Sequence, residues 1–237
     1  NGSSYVAKTS TTGNLPTDTT KWNILASGSG GIWNSSLSLG TAGQVVKVNS
    51  GASALEFGTL SSDYVKIGTY SANNVASLVI DNIFSTTYST YKIFIDRFYG
   101  ASNGAWLGLR TVSSGTTESG NVYATIQGYA YVESSTQGYA SGNSGWHSSS
   151  NQGYLMLGSS DASYRGSAEV TFYNPGNSDS DADRDRINFK TAGWNGTGRF
   201  ETRDGAFWVN NTSAPTGVEF RYSGNNFYGK FRVYGIK

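Results

Sequence analysis

The sequence predicts an all-β protein: an antiparallel β-sandwich of jelly-roll type, preceded by a small β-hairpin and stalk region. Three observations predict it. Short runs alternating apolar and polar residues recur along most of the chain, with turn signals between them. No window sustains an apolar stripe at i, i+3 and i+4, so helices should be few. The composition suits turns and β-surfaces: of 237 residues 31 are glycine and 3 proline, while 16 Tyr, 11 Phe and 6 Trp supply a core.

Residues 1–27 read "NGSSYVAKTSTTGNLPTDTTKWNILAS". Short strands at Tyr5-Val6-Ala7 and Trp22-Asn23-Ile24-Leu25 flank a turn-rich connection holding Gly13, Asn14 and Pro16. A piece this size buries no core alone, because free-standing domains below about 40 residues need staples or partners, and the chain has no cysteine. Residues 28–60 open on the glycine-rich "GSGG", a flexible joint. A strand at Gln44–Val48, a turn at Asn49–Ala52 and a strand at Leu55–Phe57 then form a hairpin. A lone hairpin is marginal. Copies of this segment from other chains, packed around one another, would stabilise it, so the pattern predicts an oligomer with a shared stalk.

Residues 61–237 carry about ten expected strands, which points to two packed antiparallel sheets. Val75–Ile80 and Tyr91–Ile95 come first. Ala105, Leu107 and Leu109 then alternate with Trp106 and Arg110, and Val122, Ala124 and Ile126 with Tyr123, Thr125 and Gln127. Tyr129–Val132 and Tyr154–Leu157 follow, then Ala168, Val170 and Phe172 opposite Glu169, Thr171 and Tyr173. Ile187 and Phe189 alternate with Arg186, Asn188 and Lys190. Ala206–Val209 and Val218–Tyr222 lead to the closing "NFYGKFRVYGIK". There Phe227, Phe231 and Val233 should face the core, with Lys230 and Arg232 outward and Gly229 at a bulge or close approach.

A net charge of +1, from 17 basic and 16 acidic residues, provides no field for a phosphate backbone or an anionic membrane. Apolar runs such as Ser77-Leu78-Val79-Ile80 are too short to span a bilayer. Neither nucleic acid nor membrane insertion is therefore expected. Without cysteine there are no disulfides, thiolate nucleophiles or thiolate metal sites. "GSGG" does not lead from a strand into a helix, so it is no phosphate cradle. His147, the single histidine, lies in a Gly/Ser-rich stretch with no nucleophile elbow around any serine. No carboxylate pair of the kind that glycosidases need stands out. In "NSDSDADRDR", Asp179, Asp181, Asp183 and Asp185 alternate like the start of a calcium loop. Arg184 and Lys190 nevertheless occupy the positions of its glycine and its glutamate, so a solvated loop is the better reading. No cofactor or metal is expected.

Exposed aromatics remain. "GYAYVESSTQGYASGNSGWHSSSNQGYL" places Tyr129, Tyr131, Tyr139, Trp146 and Tyr154 in a glycine-spaced polar setting, and "TAGWNGTGRF" adds Trp194. Flat rings beside Asn, Ser and Asp suit stacking on sugar rings or adaptable protein recognition. Tyr129 and Tyr131 fit better as core or interface residues on one strand face. Tyr139, Trp146 and Trp194, read as loop residues, are the candidate ligand-binding set.

The closing "GVEFRYSGNNFYGKFRVYGIK", "FSTTYSTYKIFIDRF" (84–98), "GSAEVTFYNPGNS" (166–178) and "APTGVEF" (214–220) together resemble the C-terminal parts of bacteriophage tail-fibre and tail-tip receptor-binding proteins. "SLGTAGQVVKVNSGASALEFG" resembles the connector before their terminal β-sandwich. "YVAKTSTTGNLPTDTTKWNILA" is similar to a small aromatic module of phage fibres, related to chitin-binding modules, with Tyr5 and Trp22 at its hallmark positions. The resemblance implies a virion component that acts outside the cell and holds no catalytic residues. It also implies a homotrimer, joined to other tail proteins at its N-terminal end, that contacts host surface polysaccharide or lipopolysaccharide. A virion structural protein without receptor binding and a capsule or cell-wall depolymerase are the alternatives.

Overall fold

The computed structural model describes residues 3–26, 40–60, 62–120, 123–133, 139–175, 186–209 and 213–237, with backbone alone at 26 and 139–150. The chain divides into two units, Asn1–Ser62 and Asp63–Lys237. In the first, β1 (Ser4–Ala7) pairs antiparallel with β2 (Trp22–Ala26), and β3 (Gln44–Val48) with β4 (Leu55–Thr59). Side chains hold the turns. The Asp18 carboxylate accepts from Thr20 N (2.9 Å) and Thr20 Oγ1 (2.6 Å), and these bonds lower its pKa. Asn49 Oδ1 accepts from Ser53 N (2.9 Å) and Ala54 N (3.2 Å), so its side chain bridges the turn of the second hairpin. Among the described residues of this unit only Gly58 is buried.

The second unit contributes β5 (Tyr64–Val75), β6 (Ser77–Ile80), β7 (Thr90–Gly100), β8 (Trp106–Ser113), β9 (Thr116–Thr117), β10 (Tyr123–Glu133) and β11 (Tyr139–Ser150). It continues with β12 (Gly153–Leu157), β13 (Gly166–Tyr173), β14 (Arg186–Trp194), β15 (Arg199–Val209), β16 (Gly217–Tyr222) and β17 (Phe227–Ile236). Two antiparallel sheets result. One has the order β11-β10-β15-β14-β13-β7-β17-β5, the other β12-β8-β16-β6 with β9 beside β8. Let β6, β7, β8, β10, β11, β12, β13 and β16 be numbered one to eight. The smaller sheet then runs 1-8-3-6, and the larger contains 2-7 and 4-5, a jelly-roll order. The β14–β15 hairpin is inserted between the seventh and fourth strands, and β17 and β5 extend the far edge.

The alternation works as expected through most of this unit. Leu107 and Leu109 of β8, Val170 and Phe172 of β13, and Ile187 and Phe189 of β14 are buried between the sheets. Phe220 of the smaller sheet meets Phe231 of the larger with ring centroids 4.6 Å apart. Gly100 is required by close packing, since a Cβ there would lie 2.2 Å from the Tyr222 ring. The closing strand is an interior strand, paired with β5 on one side and β7 on the other, and Gly229 lies where its register to β7 shifts. Some boundaries differ from expectation. Val75–Ile80 divides between β5 and β6, while the runs at 123–127 and 129–132 merge into the single strand β10; Val122 lies outside the described residues. Residues 139–150, read as loop, form β11, the outermost strand beside β10.

Tyr123 links the sheets through a polar contact in the core. It is fully buried, accepts from Thr111 N (2.9 Å) and donates to Glu118 O (3.0 Å). Burial raises its pKa from 10.0 to about 12. Because the folded value lies above the unfolded one, this stabilisation is complete below about pH 10 and is lost as pH climbs toward 12. The two-unit gap corresponds to about 2–3 kcal/mol. Denaturant midpoints measured from pH 8 to 12 should fall over that window. Tyr123→Phe should unfold about 1–3 kcal/mol more easily at neutral pH, because it strands the Thr111 N–H and the Glu118 carbonyl, and its midpoint should fall less steeply above pH 10.

Candidate functional site

Three connections of the sandwich converge beside the end of β14: those joining β7 to β8, β12 to β13, and β14 to β15. The last, Asn195-Gly196-Thr197-Gly198, is organised by Asn195, which is buried. Its Oδ1 accepts from Thr197 N (2.9 Å) and Thr197 Oγ1 (2.8 Å), and its Nδ2 donates to Glu201. Gly196 has φ +78°, and a Cβ there would approach Asn103 Oδ1 to 2.4 Å, so glycine alone admits this turn against Asn103. Asn103 Oδ1 in turn accepts from Ser160 N (2.7 Å) and Ser160 Oγ (2.9 Å). Gly104 N donates to both Gly158 O (3.0 Å) and Asn195 O (3.1 Å). The three connections are thus tied together by backbone and amide hydrogen bonds.

Above this base stands a pair of aromatic rings. Trp194, the last residue of β14, lies 4.9 Å from Tyr164 between centroids, with 38° between planes, and 5.9 Å from Phe200. Trp194 is half-buried and Tyr164 is 45% exposed, so ring surface reaches solvent. Beside the pair is a pocket of about 250 Å³ lined by Asn103, Ser160, Asp161, Tyr164, Trp194 and the backbone of Gly196 and Gly198. Asp161 Oδ1 accepts from Ser163 N (2.7 Å), which shapes the connection that carries Tyr164. Asp161 is the one carboxylate among the lining residues. The arrangement offers an apolar ring face next to amide, hydroxyl and carboxylate groups, in a space below the usual range for ligand pockets.

A second aromatic group lies where β10 and β15 pair. The Arg203 guanidinium is 4.6 Å from the Trp106 ring and 5.0 Å from the Tyr129 ring. Its Nε (3.0 Å) and Nη2 (2.6 Å) both donate to Glu201 Oε2. Arg203 and Glu201 are 5% and 7% exposed, so the ion pair is taken almost wholly out of water. Further along, Arg199 lies 4.4 Å above the Tyr131 ring and donates to Glu133 from Nε at 2.8 Å; that bond raises its pKa. Tyr129 and Tyr131 stack on each other at 6.0 Å, half-buried. They hold the arginines.

Of the candidate ligand-binding residues, Trp194 belongs to the pocket. Tyr139 and Trp146 are strand residues of β11, which corrects their placement on a loop. Tyr139 pairs with Val132, Val132 with Phe200, and Phe200 with Trp194. Tyr139 and Trp194 therefore share one cross-strand row, three strand spacings or about 14 Å apart. Trp146 falls in the irregular register between the Thr125–His147 and Gln127–Ser144 pairs, seven positions from Tyr139 or about 23 Å along the strand. The three do not converge on one point. The side chains of Tyr139, Trp146 and His147, and the whole of Asp179–Asp185, lie outside the described residues. Among the described residues no group of three or more His, Asp or Glu is placed to hold a metal ion. Tyr164, Asn103 and Asp161 gave no sequence signal, because each belongs to an unpatterned connection that only the fold brings to Trp194.

No family model matches the chain, and no significant match is found among curated proteins or solved structures.

Proposed function

We propose that the chain is a bacteriophage tail-fibre or tail-tip component that attaches the virion to its host by non-covalent binding of surface glycan. The observation that carries this reading is the Trp194–Tyr164 ring pair beside a small polar pocket. A sugar ring stacks its C–H face on such a surface while Asn103, Ser160 and Asp161 take its hydroxyls. A site this small and open binds weakly, and attachment strength comes from several copies acting together. Repetition is supported by the first unit, whose described side chains are all at least partly exposed, with Ile24 at 61% and Leu25 at 71%. Two hairpins without a core gain one when copies of the chain pack together, here as a homotrimer. Light scattering is expected to return three times the 25.3 kDa chain mass.

Calorimetric titration of the full chain with surface polysaccharide from a susceptible host tests the site. Trp194→Ala is expected to weaken binding by tenfold or more, about 1.4 kcal/mol or greater, while the variant remains folded at the temperature of the titration. Equal affinity for wild type and variant would remove the pocket from the binding role. Shortened polysaccharide after incubation would favour the depolymerase instead.

A further inference from the structure

Three depressions on the outer face of the larger sheet join along one strand. A groove of about 360 Å³ is lined by Arg186 and Asn188 together with Ile126, Ala206 and Trp208. It shares Asn188, Ile126 and Ala206 with a larger groove of about 650 Å³, which continues past Lys190 to Glu169 and Lys92. That groove shares Glu169 and Lys190 with a third, of about 300 Å³, which reaches Ala192. The next outward residue of β14 is Trp194, in the pocket beside Tyr164. The depressions therefore form a trough along the outward row of Arg186–Trp194, about 26 Å long.

Gly128, in the interior of β10, lines this trough and is exposed. Its φ lies outside the left-handed region, and a Cβ there would meet nothing within 4 Å among the described residues. In contrast to Gly100 and Gly196, neither packing nor backbone conformation asks for glycine at this position, although glycine weakens a strand. What its missing side chain does is keep the trough open, as where a ligand approaches the backbone closely.

We infer that the trough holds a segment of polysaccharide several sugars long, with one ring at Trp194 and the following ones along β14. Two features select that occupant. The trough is continuous with the Trp194–Tyr164 pocket. Ring faces also stand at both of its ends: Tyr173 and Trp208 flank Arg186 in one cross-strand row and are 45% and 42% exposed. Between the two ends Asn188, Lys190, Asp204 and Glu169 present amide, ammonium and carboxylate groups. Flat apolar faces separated by such donors and acceptors match a chain of sugar rings and their hydroxyls. The inference rests on the glycan reading of the pocket and extends it from one sugar to a chain.

Calorimetric titration of the full chain tests it with host surface polysaccharide cut by partial acid hydrolysis. The products are sized into short fragments and fragments able to span about 26 Å. Wild type is expected to bind the long fragments about tenfold or more tightly than the short ones, the equivalent of a few added contacts. Gly128→Ile places a stiff aliphatic branch in the trough. It should lose that gain on long fragments, keep the affinity for short ones, and unfold at a urea midpoint no lower than wild type. Asn188→Ala, at an exposed position on the trough floor, should weaken the long fragments alone, by about threefold or more. Trp194→Ala should weaken both. If wild type, Gly128→Ile and Asn188→Ala bind the long fragments alike, the trough is not a site, while a loss in Trp194→Ala would still support the pocket. Equal weakening of both fragment classes by Gly128→Ile would place its effect at the pocket. A changed oligomer mass with unchanged glycan affinity would assign the face to a second copy. Either result overturns the proposal. Failure of wild type to bind any fragment would remove the pocket and the trough together.

Discussion

Phe231→Ala is expected to lower the unfolding free energy by roughly 3–5 kcal/mol, the range for emptying a buried phenylalanine site. Phe231 is fully buried and touches Phe220 at 4.6 Å across the sandwich and Phe227 at 6.2 Å along its own strand. Its strand, β17, has β5 on one side and β7 on the other, so the surrounding backbone is fixed by two ladders and cannot collapse into the void. Against a typical total stability of about 5–15 kcal/mol, the loss is large. Lys230→Ala, on the exposed position next to it, should stay within about 0.5 kcal/mol of wild type. Urea denaturation of the two variants checks both values. Similar midpoints would mean that the end of the chain is not part of the core.

Arg203→Met is expected to cost about 3–5 kcal/mol, because removing one member of a buried ion pair leaves the other charged and without compensation. Glu201 would keep its bond from Asn195 Nδ2 but lose both from Arg203. The stacking on Trp106 and Tyr129 would go as well. Replacing both partners, Arg203→Met with Glu201→Gln, should recover part of the loss, since no buried charge then remains. A denaturation cycle over the two singles and the double measures the coupling. Additive costs would show that the pair contributes nothing beyond its separate contacts.

Where the interior is built from alternating aromatic and aliphatic residues, the sequence was enough to read it. Phe227, Phe231 and Val233 are buried, and Lys230 lies outward, as the period of two requires. On β10 the same rule misleads. Thr125 and Gln127 are buried and Ile126 is exposed, because the position of β10 beside β15 and above β12 decides which face meets the other sheet. β11 was hidden for a different reason. Its Gly/Ser-rich run lacks β-branched residues and reads as loop, yet pairing with β10 makes it a strand. Trp194 was legible as an unusual aromatic near glycines. Its partners Tyr164 and Asn103 were not, because about thirty and ninety residues of chain separate them from it and no local pattern encodes their meeting. The buried Glu201–Arg203 pair lies two residues apart on one strand face, but the same spacing is ordinary on an exposed surface.

The central claim, that the Trp194–Tyr164 pocket attaches the chain to host glycan, is most directly tested on cells. Fluorescently labelled full chain, wild type or Trp194→Ala/Tyr164→Ala, would be titrated onto susceptible bacteria before and after their surface polysaccharide is stripped. Adsorption of the wild type that vanishes on stripping, and that falls by about a hundredfold or more in the double variant through multivalent loss, is the predicted result. Wild-type and variant chains adsorbing alike, or adsorption that survives stripping, would contradict it.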